Sequence, residues 1–166
     1  LSTVSGVTLV SKSPLCGPPS SGGNERVNPI SNTAYYCCGV RMEDAERKTS
    51  LCNDHFARRF MDERGMRLYQ PFTAEQLPNI STTVRCRIID DFVRSEIEKE
   101  PGTRVVTIGA GFDTRPYRLK GGDWIEIDEP QIIEYKNERL PVTECPNSLK
   151  RISIEFAAES LAGKLE

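Results

Sequence analysis

No sign of charge predominates in this chain: 22 lysines and arginines stand against 24 aspartates and glutamates over 166 residues, a formal net charge of -2. Such a balance gives no overall field to gather nucleic acid or an anionic membrane surface, so neither is expected as a partner. Long apolar runs are missing too. None approaches the roughly 20 residues that span a bilayer, and no basic segment followed by an apolar stretch and a small-residue cleavage site opens the sequence. A cytoplasmic protein is expected. Six cysteines are present, but no pair has C-x-x-C spacing and no secretory signal accompanies them, which points to free thiols and to no metal site. Histidine is nearly absent: His55 is the only one, beside Asp54 in a surface-like stretch, and reads as an ordinary residue at a helix start. No general base is evident, and no catalytic side chain is assigned.

What is present is organised in two regimes. Residues 11–30 are crowded with Ser, Pro and Gly, the composition of a segment that cannot offset its ordering entropy, and 1–30 is expected to be a flexible leader. The chain begins with Leu and is expected to be a piece of something longer. Helical spacing follows. Ser31-Asn32 supplies N-caps for a helix to about residue 47, in which Cys37 and Cys38 fill core positions. A second helix opens at Asn53 or Asp54 and is closed by Gly65. The third spans about 81–99, with Val84, Ile88, Ile89, Phe92, Val93 and Ile97 as its apolar stripe and Arg85, Arg87, Asp90, Asp91 and Arg94 on the opposite, solvated face. Pro101-Gly102 stops it.

Beyond that point β-branched runs alternate with helices. Arg104–Ile108, Trp124–Ile127 and Arg151–Phe156 read as strands, with a helix opened by Glu129-Pro130 between the last two and a final helical segment over 157–164. Strand-helix alternation of this kind implies right-handed crossovers and a parallel sheet.

The stretch Val105–Leu119, VVTIGAGFDTRPYRL, places Gly109-Ala110-Gly111 at the carboxyl end of the first of these strands, where open α/β sheets bind ligands. Glycine lets a ligand approach the main chain closely and accepts positive φ. Asp128 ends the next strand 19 positions after Gly109, where an acid can accept hydrogen bonds from both hydroxyls of a ribose. The pair suggests a nucleoside. A dinucleotide fingerprint would carry a third glycine where this chain has Thr114, and RPYRLKGG allows only about a turn of helix to face a pyrophosphate. S-adenosylmethionine has no phosphate and suits the arrangement better.

Four collinear motifs over about residues 31–156 resemble the leucine carboxyl methyltransferase family and its bacterial relatives, the O-methyltransferases of polyketide biosynthesis: NTAYYCCGVRMEDAERKTSLCNDHFARRF, VRCRIIDDFV, GAGFDTRPYRL and IEIDEPQIIEYKNERL. The resemblance implies an α/β, Rossmann-like methyltransferase with an N-terminal helical cap over 31–100 and the first half of an S-adenosylmethionine-binding domain over 101–166. It implies that Gly109, Ala110 and Gly111 line the methionine part of the cofactor and that Asp128 takes the ribose hydroxyls with help from Glu129. It further implies that an arginine, Arg85 before Arg87, pairs with the cofactor's carboxylate, while Asp113, Thr114 and Arg115 support the loop. The phosphatase-methylating members have a lysine in the first helix where this chain has Cys37-Cys38-Gly39 and then Arg41, the bacterial pattern, which argues against a phosphatase tail as substrate.

Methyl transfer to an ionised carboxylate needs alignment rather than a base, whereas a hydroxyl acceptor would want one. The expected activity is S-adenosylmethionine-dependent O-methylation of a small-molecule carboxylate or hydroxyl. Only 55 residues follow Gly111, so the sheet is expected to hold the first three strands of its fold, leaving one edge of the glycine-bearing strand unpaired and available for homo-oligomer formation. Two further readings stay open: an NAD(P)-dependent oxidoreductase, and a non-catalytic interaction module that retains half of an enzyme.

Overall fold

The computed structural model describes residues 6–10 and 30–165. Among these residues, four parallel strands form a single sheet in the order β1(Gly6–Val10), β2(Arg104–Ile108), β3(Asp123–Asp128), β4(Ser148–Ser153). Three of them are the strands expected from the alternating pattern, although β4 starts three residues earlier than its apolar run suggested. The fourth is a correction. Gly6–Val10, placed in the leader by sequence, pairs with β2 from Gly6↔Arg104 to Val10↔Ile108. GVTLV is itself a short β-branched run, and the Ser/Pro/Gly composition after it masked that signal. The sheet therefore holds more than three strands, and the edge of β2 expected to be free is occupied. The remainder of the expected leader, 1–5 and 11–29, lies outside the described residues.

Among the described residues between β1 and β2 lie three helices: α1(Asn32–Ala45), α2(Glu63–Tyr69) and α3(Gln76–Lys99). Ser31 caps α1 through its hydroxyl, which accepts from the Thr33 N–H at 3.2 Å. The second helix differs from expectation. Residues 57–60 make only a 3-10 turn, and α2 begins after Asp62, whose carboxylate accepts from Gly65 N–H at 2.8 Å. Gly65 thus sits in the first turn of α2 rather than closing a helix, and it is glycine because a Cβ there would lie 2.6 Å from the Tyr35 ring.

The largest departure is the face of α3. Its buried line runs through Thr82, Thr83, Cys86, Asp90, Val93 and Ile97, while Val84, Ile88 and Phe92 are exposed. Asp90, expected in solvent, is 2 % exposed. Val93 and Ile97 of the expected stripe are buried, but the stripe is rotated toward Asp90, whose charge is satisfied by arginines far along the chain, which periodicity cannot register.

Two short helices complete the crossovers, α4(Arg115–Arg118) after β2 and α5(Pro130–Arg139) after β3, and α6(Leu161–Leu165) follows β4. One apolar cluster packs α3 on the sheet through Val93, Ile97, Val105, Leu119 and Trp124. A second joins Tyr35, Cys38, Met42, Ala57 and Phe60 of the helical layer to Phe112, Tyr117 and Leu140 of the sheet layer. Phe60 and Phe112 stack with ring centroids 4.8 Å apart, so the residue just after Gly111 is itself an anchor between the layers. Among the described residues, no helix is long and apolar enough to cross a membrane.

Candidate functional site

The end of β2 turns through two residues in the left-handed region, Gly109 at φ 67 and Gly111 at φ 49. Both conformations are strained for residues bearing a Cβ. The N–H groups of Gly109 and Ala110 donate to the Ile127 carbonyl at 2.9 and 3.2 Å, which ties the turn to the end of β3. A Cβ placed on Gly111 would meet nothing within 4 Å. Bare main chain therefore borders open space.

Asp128 faces that turn. Its Oδ2 accepts from the Gly111 N–H at 2.6 Å and its Oδ1 from the Glu129 N–H at 2.8 Å. Burial raises its carboxyl above the ordinary value, and the two amide donors and the more distant Lys136 pull against that shift. Each carboxylate oxygen retains a lone pair, so two hydroxyl donors could still be accepted. Glu129 directly precedes Pro130 at the start of α5, and its carbonyl accepts from Ile132 and Ile133, which sets the helix running away from the turn. Gly109, Ala110, Gly111, Asp128 and Glu129 are thus brought to one place.

Arg85 is not brought to it directly. It lies exposed on α3, and among the described residues no hydrogen bond joins it to the turn. Arg87 is committed to Asp91 at 2.7 Å, which Arg94 also meets at 2.7 Å. Of the two candidate arginines, Arg85 is the one outside that surface ladder.

The support beneath the turn was only partly readable. Thr114, in the position of the absent third glycine, is fully buried and donates from its hydroxyl to Asp54 Oδ1 at 2.7 Å. Arg41 in α1 donates through Nε to Asp54 Oδ2 at 2.8 Å and through Nη2 to the Phe112 carbonyl at 2.6 Å. Burial disfavours the Arg41 charge, but Asp54 more than restores it, and its guanidinium is held well above its ordinary value. Arg115 binds Asp90 at 2.7 Å and Asp113 at 2.5 Å, and Arg118 binds Asp90 at 2.6 Å. Supporting roles for Asp113, Thr114 and Arg115 agree with this arrangement. Arg41, Asp54, Asp90 and Arg118 were not singled out by sequence reasoning as members of one cluster. The signal available was that Asp90 falls one turn after Cys86 and one before Val93, on the buried side of α3.

A parallel sheet with glycines at the end of one strand and an acid at the end of its neighbour defines an α/β domain of the Rossmann-like type. The sequence pattern of the leucine carboxyl methyltransferase family matches residues 37–166, and the chain belongs to that family. Similar proteins bear the name "Putative S-adenosyl-L-methionine-dependent methyltransferase". One from Mycolicibacterium gilvum is 42% identical over 76 residues, covering 42% of this chain and 24% of that protein. One from Streptomyces coelicolor is 24% identical over 142 residues, covering 75% and 46% respectively. One from Mycobacteroides abscessus is 30% identical over 122 residues, covering 65% and 39%. The chain thus spans less than half the length of these relatives.

Proposed function

We propose that the protein binds S-adenosylmethionine between the Gly109–Gly111 turn and Asp128, as part of an O-methyltransferase acting on a small molecule. The observation that carries this reading is the Asp128 carboxylate, joined to the Gly111 amide at 2.6 Å beside space that a Cβ on Gly111 would enter without contact. Family membership and the names of the relatives support it. In this reading Asp128 accepts from the ribose hydroxyls, and Glu129 adds a second acceptor at the start of α5. The glycines admit the methionine portion to the main chain, and Arg85 reaches the cofactor's carboxylate from α3. Bound there, the cofactor would supply a methyl group already activated by a sulfonium. The residues of this chain hold and orient it, and among those described no side chain is assigned to move a proton. A carboxylate acceptor fits best, since it is ionised near neutral pH and requires only alignment. The four-residue α4, with Thr114 buried at its start, offers little to a pyrophosphate, so a nicotinamide dinucleotide is disfavoured.

Isothermal titration calorimetry with S-adenosylhomocysteine tests the proposal. Heat of binding is expected with the wild type and its loss with Asp128→Ala. Absence of binding by both would end it.

A further inference from the structure

Cys52 and Cys86 lie 34 positions apart and share no motif spacing. In the fold they are neighbours. Cys52, on the loop after α1, is 3 % exposed, and its thiol donates to the Thr83 carbonyl at 3.4 Å, one turn before Cys86 on α3. Cys86 is 5 % exposed. Arg118 bridges them, with Nη1 donating to the Cys52 carbonyl at 3.0 Å and Nη2 lying 3.9 Å from the Cys86 sulfur. Arg115 Nη2 reaches the same sulfur at 3.8 Å. Asp90 Oδ2 is 4.0 Å away on its other side, and Asp44 accepts from the Cys52 N–H at 2.8 Å. A sulfur in a fork of two guanidiniums, with a second thiol beside it, combines the features of an oxidisable cysteine and its resolving partner.

We propose that Cys52 and Cys86 form an oxidative modification site, in which a small peroxide converts the two thiols into an intramolecular disulfide. The Cys86 thiolate attacks one peroxide oxygen, breaking the O–O bond; it becomes a sulfenic acid, and hydroxide leaves. The Cys52 sulfur then attacks that sulfenic sulfur, the S–S bond forms, and the Cys52 proton leaves with the displaced hydroxyl as water. Two electrons pass from the thiols to the peroxide, so each disulfide consumes one peroxide. Cys86 is the attacking partner because its sulfur meets Arg115 and Arg118. The neighbouring Cys52 thiol, with the charges of Arg41 and Arg115, also lowers its pKa against the opposing effects of burial and Asp90. Both thiols are buried, so small oxidants are favoured over bulky ones. The bridge would tie the loop that carries Asp54 to α3, and with it two of the segments that hold the glycine turn.

The test is peptide mapping by mass spectrometry of the full chain after treatment with hydrogen peroxide, without prior reduction. The expected product is a 52–86 linked peptide lacking two hydrogens and restored by dithiothreitol. Cys52→Ser should leave Cys86 as a sulfenic acid trapped by dimedone, and Cys86→Ser should abolish oxidation at Cys52. The proposal is overturned if Cys52 and Cys86 stay reduced while Cys16, Cys37 or Cys145 is oxidised, or if Cys52 oxidises at the wild-type rate in Cys86→Ser. None of these readouts depends on nucleoside binding, so the proposed function can fail while this site stands.

Discussion

Gly111→Ala separates the two reasons a glycine can stand at the end of β2. Gly111 has φ 49, and an added Cβ would meet no atom within 4 Å. The methyl group therefore costs stability only through the left-handed backbone, about 1–2 kcal/mol. At about 2–4 °C per kcal/mol for a domain of this size, the melting temperature should fall by about 2–8 °C. The Gly111 N–H survives the substitution, so its bond to Asp128 is not the thing removed. If the open space is where the cofactor's main-chain approach occurs, the same methyl overpacks the bound state by about 1–3 kcal/mol. That corresponds to S-adenosylhomocysteine binding weakened about 5- to 150-fold. Thermal unfolding can be followed by the fluorescence of Trp124, the single tryptophan and fully buried, and affinity by calorimetry. A variant that melts a few degrees lower yet binds with wild-type affinity would refute the reasoning, leaving Gly111 as a turn residue only.

Lys136→Met should lower stability by about 3–5 kcal/mol in urea unfolding, because Glu126 is fully buried between Lys136 at 2.6 Å and Arg151 at 2.9 Å and would lose one of its two cations. Adding Glu126→Gln should recover part of that loss, and no recovery would mean the charge left behind is not the cause. Burial acts to raise the Asp113 carboxyl, but Arg115, Lys136 and the Arg115 N–H outweigh it and hold it well below the ordinary carboxylate range. A depressed folded-state value means stability fully present above the unfolded value of about 4 and lost as pH falls through the folded one. The stability gap between the wild type and Asp113→Asn, by urea unfolding, should therefore be wide at neutral pH and narrow in acid; a gap that does not change with pH contradicts this. Arg41→Lys keeps the charge but loses the fork that spans Asp54 at 2.8 Å and the Phe112 carbonyl at 2.6 Å, and should lower stability by about 1–3 kcal/mol in thermal unfolding. Wild-type melting would show that the Phe112 carbonyl needs no such donor.

The legible parts of the sequence were those whose cause is local. Gly109, Gly111 and Asp128 could be placed together because each ends a strand, and adjacent parallel strands bring their carboxyl ends side by side. Ser31 could be read as a cap because its partner is the Thr33 N–H two residues on. What escaped depended on distant partners. Asp90 is buried by arginines 25 and 28 positions away, so a charged residue took a core position while Val84, Ile88 and Phe92 stayed in solvent. Gly65 is required by the Tyr35 ring on another helix, and the strand in Gly6–Val10 is made by pairing with β2 almost a hundred positions on. The proximity of Cys52 and Cys86 belongs to the same class. Spacing rules address motifs, and these thiols meet only because α3 packs against the loop after α1.

These long-range contacts bear on whether the sheet segment could stand without the helices before it. Phe112 and Tyr117, both buried, pack against Tyr35, Cys38, Met42, Ala57 and Phe60 of the helical layer. Thr114 and the Phe112 carbonyl are satisfied by Asp54 and Arg41, and Arg115 and Arg118 by Asp90, all from before residue 100. A chain of residues 101–166 would expose those aromatic rings and leave two arginines without Asp90. It would also remove β1, which pairs along the whole of β2. Each of these six groups left unsatisfied or uncovered costs about 1–3 kcal/mol, about 6–18 kcal/mol together, which matches the roughly 5–15 kcal/mol by which a domain is stable. That fragment should therefore lack the dispersed amide spectrum of a folded protein in two-dimensional NMR, while the full chain gives one. A dispersed spectrum from the fragment would mean that the glycine turn and Asp128 hold their geometry without the cap, and that the contacts of Arg41, Asp54 and Asp90 are not what fixes it.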